Sequence, residues 1–198
     1  MVFTLTILLF LFGTSVYAQP TFFHVVQPGD TLTHVASKHG VTVGELVVFN
    51  EIDEPNKIWV GDVILIPPKG YIGSEIIEGV TPGERLLLAR VIYAEARGES
   101  FEGKVAVGAV IVNRVKSSSF PSTIREVVYQ PGQFTPVEND ILPEFPDYSS
   151  WDAALRALAG EDPSGGALFF YNPRITRYRD FWETRTVIKV IGNHNFAI

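Results

Sequence analysis

Glu95 is the acidic residue whose position in the sequence best suits acid–base chemistry. If the chain is helical here, Leu88, Val91 and Ile92 lie one and two turns before Glu95 on the same, apolar face. A carboxyl group on that face is partly desolvated, and desolvation raises its pKa. A general acid that must hold a proton near neutral pH needs such a shift. The spacing therefore makes Glu95 a candidate general acid.

Other interpretations of this segment stay open at the level of sequence. Glu95 can instead pair with Arg90 or Arg97, which would make it a structural residue. Glu99 follows Gly98, where we expect the helix to break, so we expect Glu99 to cap a helix or form a salt bridge. A role for Glu99 as a second reacting carboxylate is the alternative.

The composition excludes several other kinds of chemistry. The 198-residue chain has no cysteine, which rules out disulfides, thiolate metal sites and cysteine nucleophiles. It has four histidines, of which only His194 follows residue 39, so we expect neither a zinc hydrolase nor a Ser-His-Asp triad. We predict no cofactor and no metal centre. The net charge of −6 gives no electrostatic basis for binding nucleic acid.

Residues 1–18 have the features of a secretory signal peptide. Leu5 to Phe12 is an apolar run, and Val16-Tyr17-Ala18 resembles a cleavage site. The segment before the apolar run has no Lys or Arg, so an uncleaved N-terminal anchor is the alternative. No other segment approaches the roughly 20 apolar residues that a membrane span needs. We expect a secreted protein with no stable membrane insertion after signal cleavage.

Residues 23–68 carry the local signals of two strands and two helices. The β-rich run at 23–26 ends at a Pro-Gly-Asp turn, and a helix is predicted at 31–39, before a glycine. A Thr-x-x-Glu capping box opens a second helix at 42–50. The run at 63–66 is typical of a buried strand. The predicted order is β-α-α-β.

The unit carries three conspicuous motifs: His24-Val25-Val26-Gln27-Pro28-Gly29-Asp30-Thr31-Leu32, Asn50 and Gly61-Asp62-Val63-Ile64-Leu65-Ile66-Pro67. Together these motifs resemble those of the LysM family. The family binds N-acetylglucosamine-containing glycans, so the resemblance implies peptidoglycan glycan strands as the partner. It also implies a sugar-binding groove formed by two loops, with Gly29, Asp30, Thr31, Leu32, Ile52, Glu54, Pro55 and Ile58. Asp30 and Thr31 could alternatively serve only as helix caps.

The signals after a glycine-containing linker at 69–80 are mainly helical. Thr81-Pro82-Gly83-Glu84 is typical of a helix start. Helices are predicted at 81–96, 122–129 and 150–159, and the ambiguous apolar run at 105–112 favours a buried helix. Strands are predicted at 167–171 and 186–191, and Gly192-Asn193 predicts a hairpin turn into 195–197. The fold class is α+β.

Residues 82–198 contain a series of motifs, of which the longest are Leu88-Ala89-Arg90-Val91-Ile92-Tyr93-Ala94-Glu95-Ala96-Arg97-Gly98-Glu99, Tyr129-Gln130-Pro131-Gly132-Gln133-Phe134-Thr135, Asp162-Pro163-Ser164-Gly165-Gly166-Ala167 and Ile191-Gly192-Asn193-His194-Asn195-Phe196. In this order they strongly resemble the SleB-like cell wall hydrolases, which include spore cortex-lytic enzymes. The family implies a mainly helical, lysozyme-like catalytic domain. It also implies that the first glutamate of Tyr-Ala-Glu-Ala-Arg-Gly-Glu, here Glu95, is the acid/base.

Five further side chains in these motifs are candidates for lining a sugar cleft: Gln133, Phe134, Thr135, Tyr171 and Asn172. Aromatic faces stack on sugar rings, and amides form hydrogen bonds with N-acetyl groups. Phe134 and Tyr171 could equally be core residues.

The combined prediction is a signal peptide at 1–18, a LysM module at 23–68, a linker at 69–80 and a catalytic domain at 82–198. The expected activity is cleavage of peptidoglycan glycan strands, as a lytic transglycosylase that leaves 1,6-anhydro-muramic acid ends. A muramidase-type hydrolase, a stem-peptide amidase and a non-enzymatic wall-binding protein are the alternatives. The sequence does not distinguish vegetative wall from spore cortex as the substrate.

Overall fold

The computed structural model of the protein describes residues 22–67, 79–176 and 179–198. The predicted signal peptide and most of the predicted linker lie outside these ranges. Among the described residues, no helix combines the length and the apolar character needed to cross a bilayer.

The N-terminal unit has the predicted β-α-α-β order. It comprises β1 (Phe23–Val25), α1 (Leu32–His39), α2 (Val43–Asn50) and β2 (Val63–Leu65). The two strands pair antiparallel, with His24 opposite Ile64. The unit is thus a two-stranded sheet with one face covered by two short helices.

Side-chain caps define the ends of these helices as the sequence predicts. The Thr31 hydroxyl accepts a hydrogen bond from the backbone of His34 at the start of α1, and Gly40 ends α1 with a φ of 69°. Thr42 and Glu45 form the reciprocal capping box of α2. These local hydrogen bonds satisfy backbone groups that a short helix leaves unpaired.

The second unit is built on three long helices that pack against one another: α3 (Pro82–Ala96), α4 (Phe101–Lys116) and α7 (Tyr148–Leu158). The ambiguous apolar run at 105–112 is helical and lies within α4. Every residue of α4 from Gly103 to Val112 is buried. A helix enclosed in this way is apolar on all sides and loses the 3.6-residue pattern.

Two shorter helices, α5 (Ile124–Val128) and α6 (Thr135–Glu138), connect α4 to α7. The α5 helix lies within the predicted segment and is capped by Thr123. The α6 helix was not predicted, since a single turn with a proline near its start has no apolar periodicity to reveal it.

The C-terminal part is a three-stranded antiparallel sheet in the order β3-β5-β4. Its strands are β3 (Phe169–Tyr171), β4 (Val187–Ile191) and β5 (His194–Ala197), and a short helix α8 (Arg179–Glu183) precedes β4. The predicted hairpin at Gly192-Asn193 is confirmed, since Ile191 pairs with His194 across it.

The two units share a hydrophobic core. Phe22, Phe49 and Leu65 of the first unit belong to the same buried cluster as Trp151 of α7. The Phe22 ring stacks on Trp151 with centroids 5.2 Å apart. Because side chains alternate along a strand, Ile64 of β2 packs into the module's own core while Leu65 packs toward the second unit.

Candidate active site

Glu95 is the second-last residue of α3 and is half-buried. Leu88, Val91 and Ile92, which precede it on the same face, are completely buried. Burial raises the pKa of the Glu95 carboxyl to about 7. The carboxyl group therefore retains its proton to a much higher pH than an exposed glutamate does.

Neither arginine that could have paired with Glu95 does so. Arg90 donates from Nε to the carbonyl oxygen of Pro143 at 2.5 Å. Arg97 instead lies over the ring of Tyr93, with its guanidinium carbon 5.8 Å from the ring centroid. Across residues 22–67, 79–176 and 179–198, Glu95 makes no hydrogen bond or ion pair. A half-buried carboxyl without a cation beside it can act as a general acid near neutral pH.

Glu99 has the opposite environment. Its carboxylate accepts two hydrogen bonds from Asn193 in the hairpin turn, from the backbone N at 3.0 Å and from Nδ2 at 2.9 Å. Burial acts to raise the pKa of Glu99, but these hydrogen bonds and the nearby His194 outweigh it and hold the pKa below its ordinary value. The expected cap or salt bridge is replaced by a bond to a turn 94 residues away.

Three of the cleft candidates lie at the start of α6. The structure corrects the prediction for one of them. Gln133 and Thr135 are exposed. Phe134 is only 2% exposed and packs near Phe170, with ring centroids 6.4 Å apart, and under the guanidinium of Arg114. A buried ring cannot stack on a sugar, so Phe134 supports this loop from the core.

The two candidates at the end of β3 are partly exposed. Tyr171 stacks on Trp182 with centroids 4.3 Å apart and an angle of 12° between the rings, and its hydroxyl accepts a hydrogen bond from Asn195. Asn172 accepts from the backbone N of Arg174 at 2.9 Å. Sequence reasoning missed Trp182, because nothing local places α8 against the end of β3.

The first predicted LysM loop is held by a histidine–aspartate network. Asp30 Oδ2 lies 2.7 Å from Nε2 of His24, Asp30 Oδ1 lies 2.8 Å from Nδ1 of His34, and the backbone N of Gln27 donates to Asp30. The hydrogen bond from His24, followed by that from Gln27, lowers the pKa of Asp30 to about 2.

The other residues of this loop have different exposures. Gly29, with a φ of 88°, supports the turn, and Thr31 is exposed at the cap of α1. Leu32 is buried in the module's core, so its side chain cannot contact a sugar directly as the resemblance implied.

The second predicted LysM loop is more exposed. Ile52 and Ile58 pack partly against the module's core, while Pro55 is exposed. Trp59, 70% exposed in the turn before β2, is an aromatic surface that the sequence reasoning overlooked. A cavity of about 290 Å³ lies nearby between the two units, lined by residues such as Ile52, Leu65 and Leu86, and it does not include Glu95.

Known protein families match both parts of the chain. A model for cell wall hydrolases matches residues 98–197, and a model for the LysM domain matches residues 24–67. The match to the cell wall hydrolase model begins after Glu95.

Curated relatives are similar over about two thirds of the chain. The spore cortex-lytic enzyme of Bacillus cereus is 40% identical over 131 residues, which is 66% of this chain and 50% of that protein. The spore cortex-lytic enzyme of Bacillus subtilis is 40% identical over 126 residues, 64% of this chain and 41% of that protein. The chain thus matches half or less of the length of these two relatives.

A solved structure is similar over a comparable share of the chain. The catalytic domain of the germination-specific lytic transglycosylase SleB from Bacillus anthracis superimposes with a TM-score of 0.59 and 39% identity, covering 62% of this chain and 100% of that one. With half of its residues matched by the family model and a solved catalytic domain of the same fold, this chain belongs to the cell wall hydrolase family.

Proposed function

We propose that the chain cleaves the glycan strands of peptidoglycan and that Glu95 is its general acid. The observation that carries the proposal is the state of Glu95, a half-buried carboxyl unpaired in the described structure, with a pKa raised to about 7. Such a group can give its proton to the glycosidic oxygen as the bond to the leaving sugar breaks.

The reaction we propose is lytic transglycosylation. Hydrolysis by the common glycosidase routes uses two carboxyl groups, but Glu99, the acidic residue nearest to Glu95 in the sequence, is already bonded to Asn193. Once Glu95 has protonated the leaving oxygen, its carboxylate takes the proton of the C6 hydroxyl of the muramic acid residue. That oxygen bonds to C1, closing a 1,6-anhydro ring, and Glu95 recovers its proton. The hydroxyl is tethered to the reacting sugar, which lowers the entropic barrier.

The relatives support the same reaction and indicate a substrate. The SleB catalytic domain is described as a germination-specific lytic transglycosylase, and the curated relatives are spore cortex-lytic enzymes. We therefore propose cortex peptidoglycan as the first substrate to test, beside vegetative wall.

The remaining site residues are proposed as sugar contacts. In the catalytic domain these are Gln133, Thr135, Tyr171 and Asn172, all at least partly exposed. In the LysM module, Gly29, Asp30, Thr31, Ile52, Pro55 and Ile58 would form the groove that holds the enzyme on the wall. We further propose that residues 1–18 direct secretion.

The products of digestion test this proposal. Purified protein is incubated with cortex and vegetative peptidoglycan, and soluble fragments are analysed by mass spectrometry with and without borohydride reduction. We expect fragments ending in 1,6-anhydro-muramic acid that resist reduction. Reducible muramic ends from the first time point would indicate a muramidase, released stem peptides an amidase, and the absence of fragments a wall-binding protein without activity.

A further inference from the structure

Glu99 occupies a space that two glycines leave open. A Cβ atom added to Gly192 would overlap Oε2 of Glu99, and one added to Gly103 would lie 3.0 Å from the Glu99 Cβ. The carboxylate therefore lies directly against the backbone of the hairpin turn. A larger residue at position 192 would not permit this contact.

The bond from Glu99 to Asn193 continues into the segment after β3. While Asn193 Nδ2 donates to Glu99, its Oδ1 lies 3.4 Å from Nη1 of Arg174. The backbone N of Arg174 in turn donates to Asn172. One carboxylate thus connects the hairpin turn with a proposed sugar contact at the end of β3.

At its other end, this chain of hydrogen bonds reaches the loop between α3 and α4, which follows Glu95. Helix α3 ends at Ala96, and the backbone N of Glu99 donates to the Ala96 carbonyl at 3.0 Å. Ser100 then caps α4 by accepting from the backbone of Gly103. Glu99 therefore lies in the short connection between two helix ends whose backbone groups are held by these bonds.

We propose that Glu99 is a positioning residue of the glycan-cleaving site. Its carboxylate clamps the Gly192-Asn193 turn, and through Asn193 and Arg174 the residues after β3, against the end of the helix that carries Glu95. This inference rests on the proposed function. It assigns Glu99 no contact with the reacting atoms: the clamp holds the proposed sugar contacts after β3 in the position that binds the glycan.

The clamp predicts an effect on substrate binding rather than on proton transfer. In Glu99→Gln the new Nε2 cannot accept a hydrogen bond from Asn193, so one of the two bonds is lost and the other is no longer charge-assisted. We expect KM for a soluble glycan oligomer to rise about tenfold, the effect of a bond worth about 1.4 kcal/mol, while kcat stays within about threefold of wild type.

Gly192→Ala tests the same contact without altering any polar group. The added methyl displaces the carboxylate, so we expect the same rise in KM as in Glu99→Gln. Gly165→Ala is the matched control, since Gly165 also has a positive φ, of 74°, but open space around its Cβ position. It carries the backbone strain of alanine without the overlap and leaves KM unchanged.

A double-mutant cycle separates positioning from general loss of structure. In a Glu99→Ala background the clamp is already gone, so adding Gly192→Ala should raise KM no further. Independent, additive effects of the two changes would overturn the proposal. So would an unchanged KM in Glu99→Gln and Gly192→Ala, or a loss of activity that only follows the loss of folded protein in melting curves. If wild type itself releases no glycan fragments, the proposed function fails instead.

Discussion

Two glutamates one helical turn apart in sequence have opposite protonation behaviour. Glu95 faces apolar side chains of α3 and has its pKa raised, whereas Glu99 receives two hydrogen bonds and has its pKa lowered. Environments that separate the pKa values of neighbouring carboxyl groups assign them different tasks. Here the protonated group is the candidate acid and the ionised group is a clamp.

Glu95→Gln is expected to abolish glycan cleavage, because the amide has nearly the same shape but cannot deliver a proton. Fragment release from peptidoglycan is the measurement. The variant should melt no lower than wild type at pH 8, since an ionised, half-buried carboxylate destabilises the fold and the amide does not. Turnover near the wild-type rate in a folded variant would contradict the assignment.

The rate of the wild-type enzyme should fall as pH rises through about 7, the pKa of Glu95. The sign follows from the role: a general acid acts in its protonated form, which is lost above its pKa. The measurement is kcat/KM for a soluble glycan between pH 5 and 9. A rate that increases steadily over this range would mean that the acting group is a base.

The element that positions Glu95 depends on the close approach of α4 to its two neighbours. A Cβ added to Gly108 would lie 2.8 Å from Cδ1 of Ile92 in α3 and 3.0 Å from the Cβ of Ala157 in α7. The isoleucine end can shift, but the Ala157 Cβ is attached directly to its helix backbone. The absence of a side chain at position 108 therefore sets the spacing of the three helices.

Gly108→Val should lower the free energy of unfolding by about 1–3 kcal/mol, the usual cost of overpacking a core. Urea denaturation measures it. Gly44→Val in α2 is the control, since the nearest atom to its Cβ position is 3.9 Å away, and we expect a change within about 0.5 kcal/mol there. Equal effects at both glycines would show that helix propensity, rather than packing, is responsible.

At the scale of the whole molecule, the LysM module is docked rather than merely tethered. Arg85 of α3 donates to the Phe49 carbonyl at 2.5 Å and to the Val80 carbonyl at 3.0 Å, and its guanidinium lies over the Phe49 ring. The Phe23 ring stacks on Phe145 with centroids 4.1 Å apart. Both domains therefore contribute to one buried interface.

Arg85→Ala should destabilise the chain by about 1–3 kcal/mol, because it removes the buried hydrogen bonds that Arg85 donates to the Phe49 and Val80 carbonyls. We expect calorimetry to show one unfolding transition for wild type and a lower Tm for the variant. Arg156→Ala is the control: Arg156 is half exposed and forms surface ion pairs, which are worth little. Two separate transitions in wild type would mean that the domains unfold independently.

The sequence by itself determined the features that depend on neighbouring residues. The β-α-α-β order, the capping boxes at Thr42 and Thr81, and the Gly192-Asn193 hairpin were all predictable, because a cap or a tight turn is formed within a few residues. The apolar face of Glu95 was predictable for the same reason, since helical periodicity is local.

Only the tertiary structure decided the contacts between distant segments. Phe134 faces the core rather than the cleft, Glu99 binds a turn at Asn193, and Phe22 stacks on Trp151. None of these three features has a local signal in the sequence. The residues around an aromatic or acidic side chain look the same whether its partner is a sugar, a backbone amide or another domain. Which partner it meets depends on how the helices and the sheet pack, and packing is a property of the whole chain.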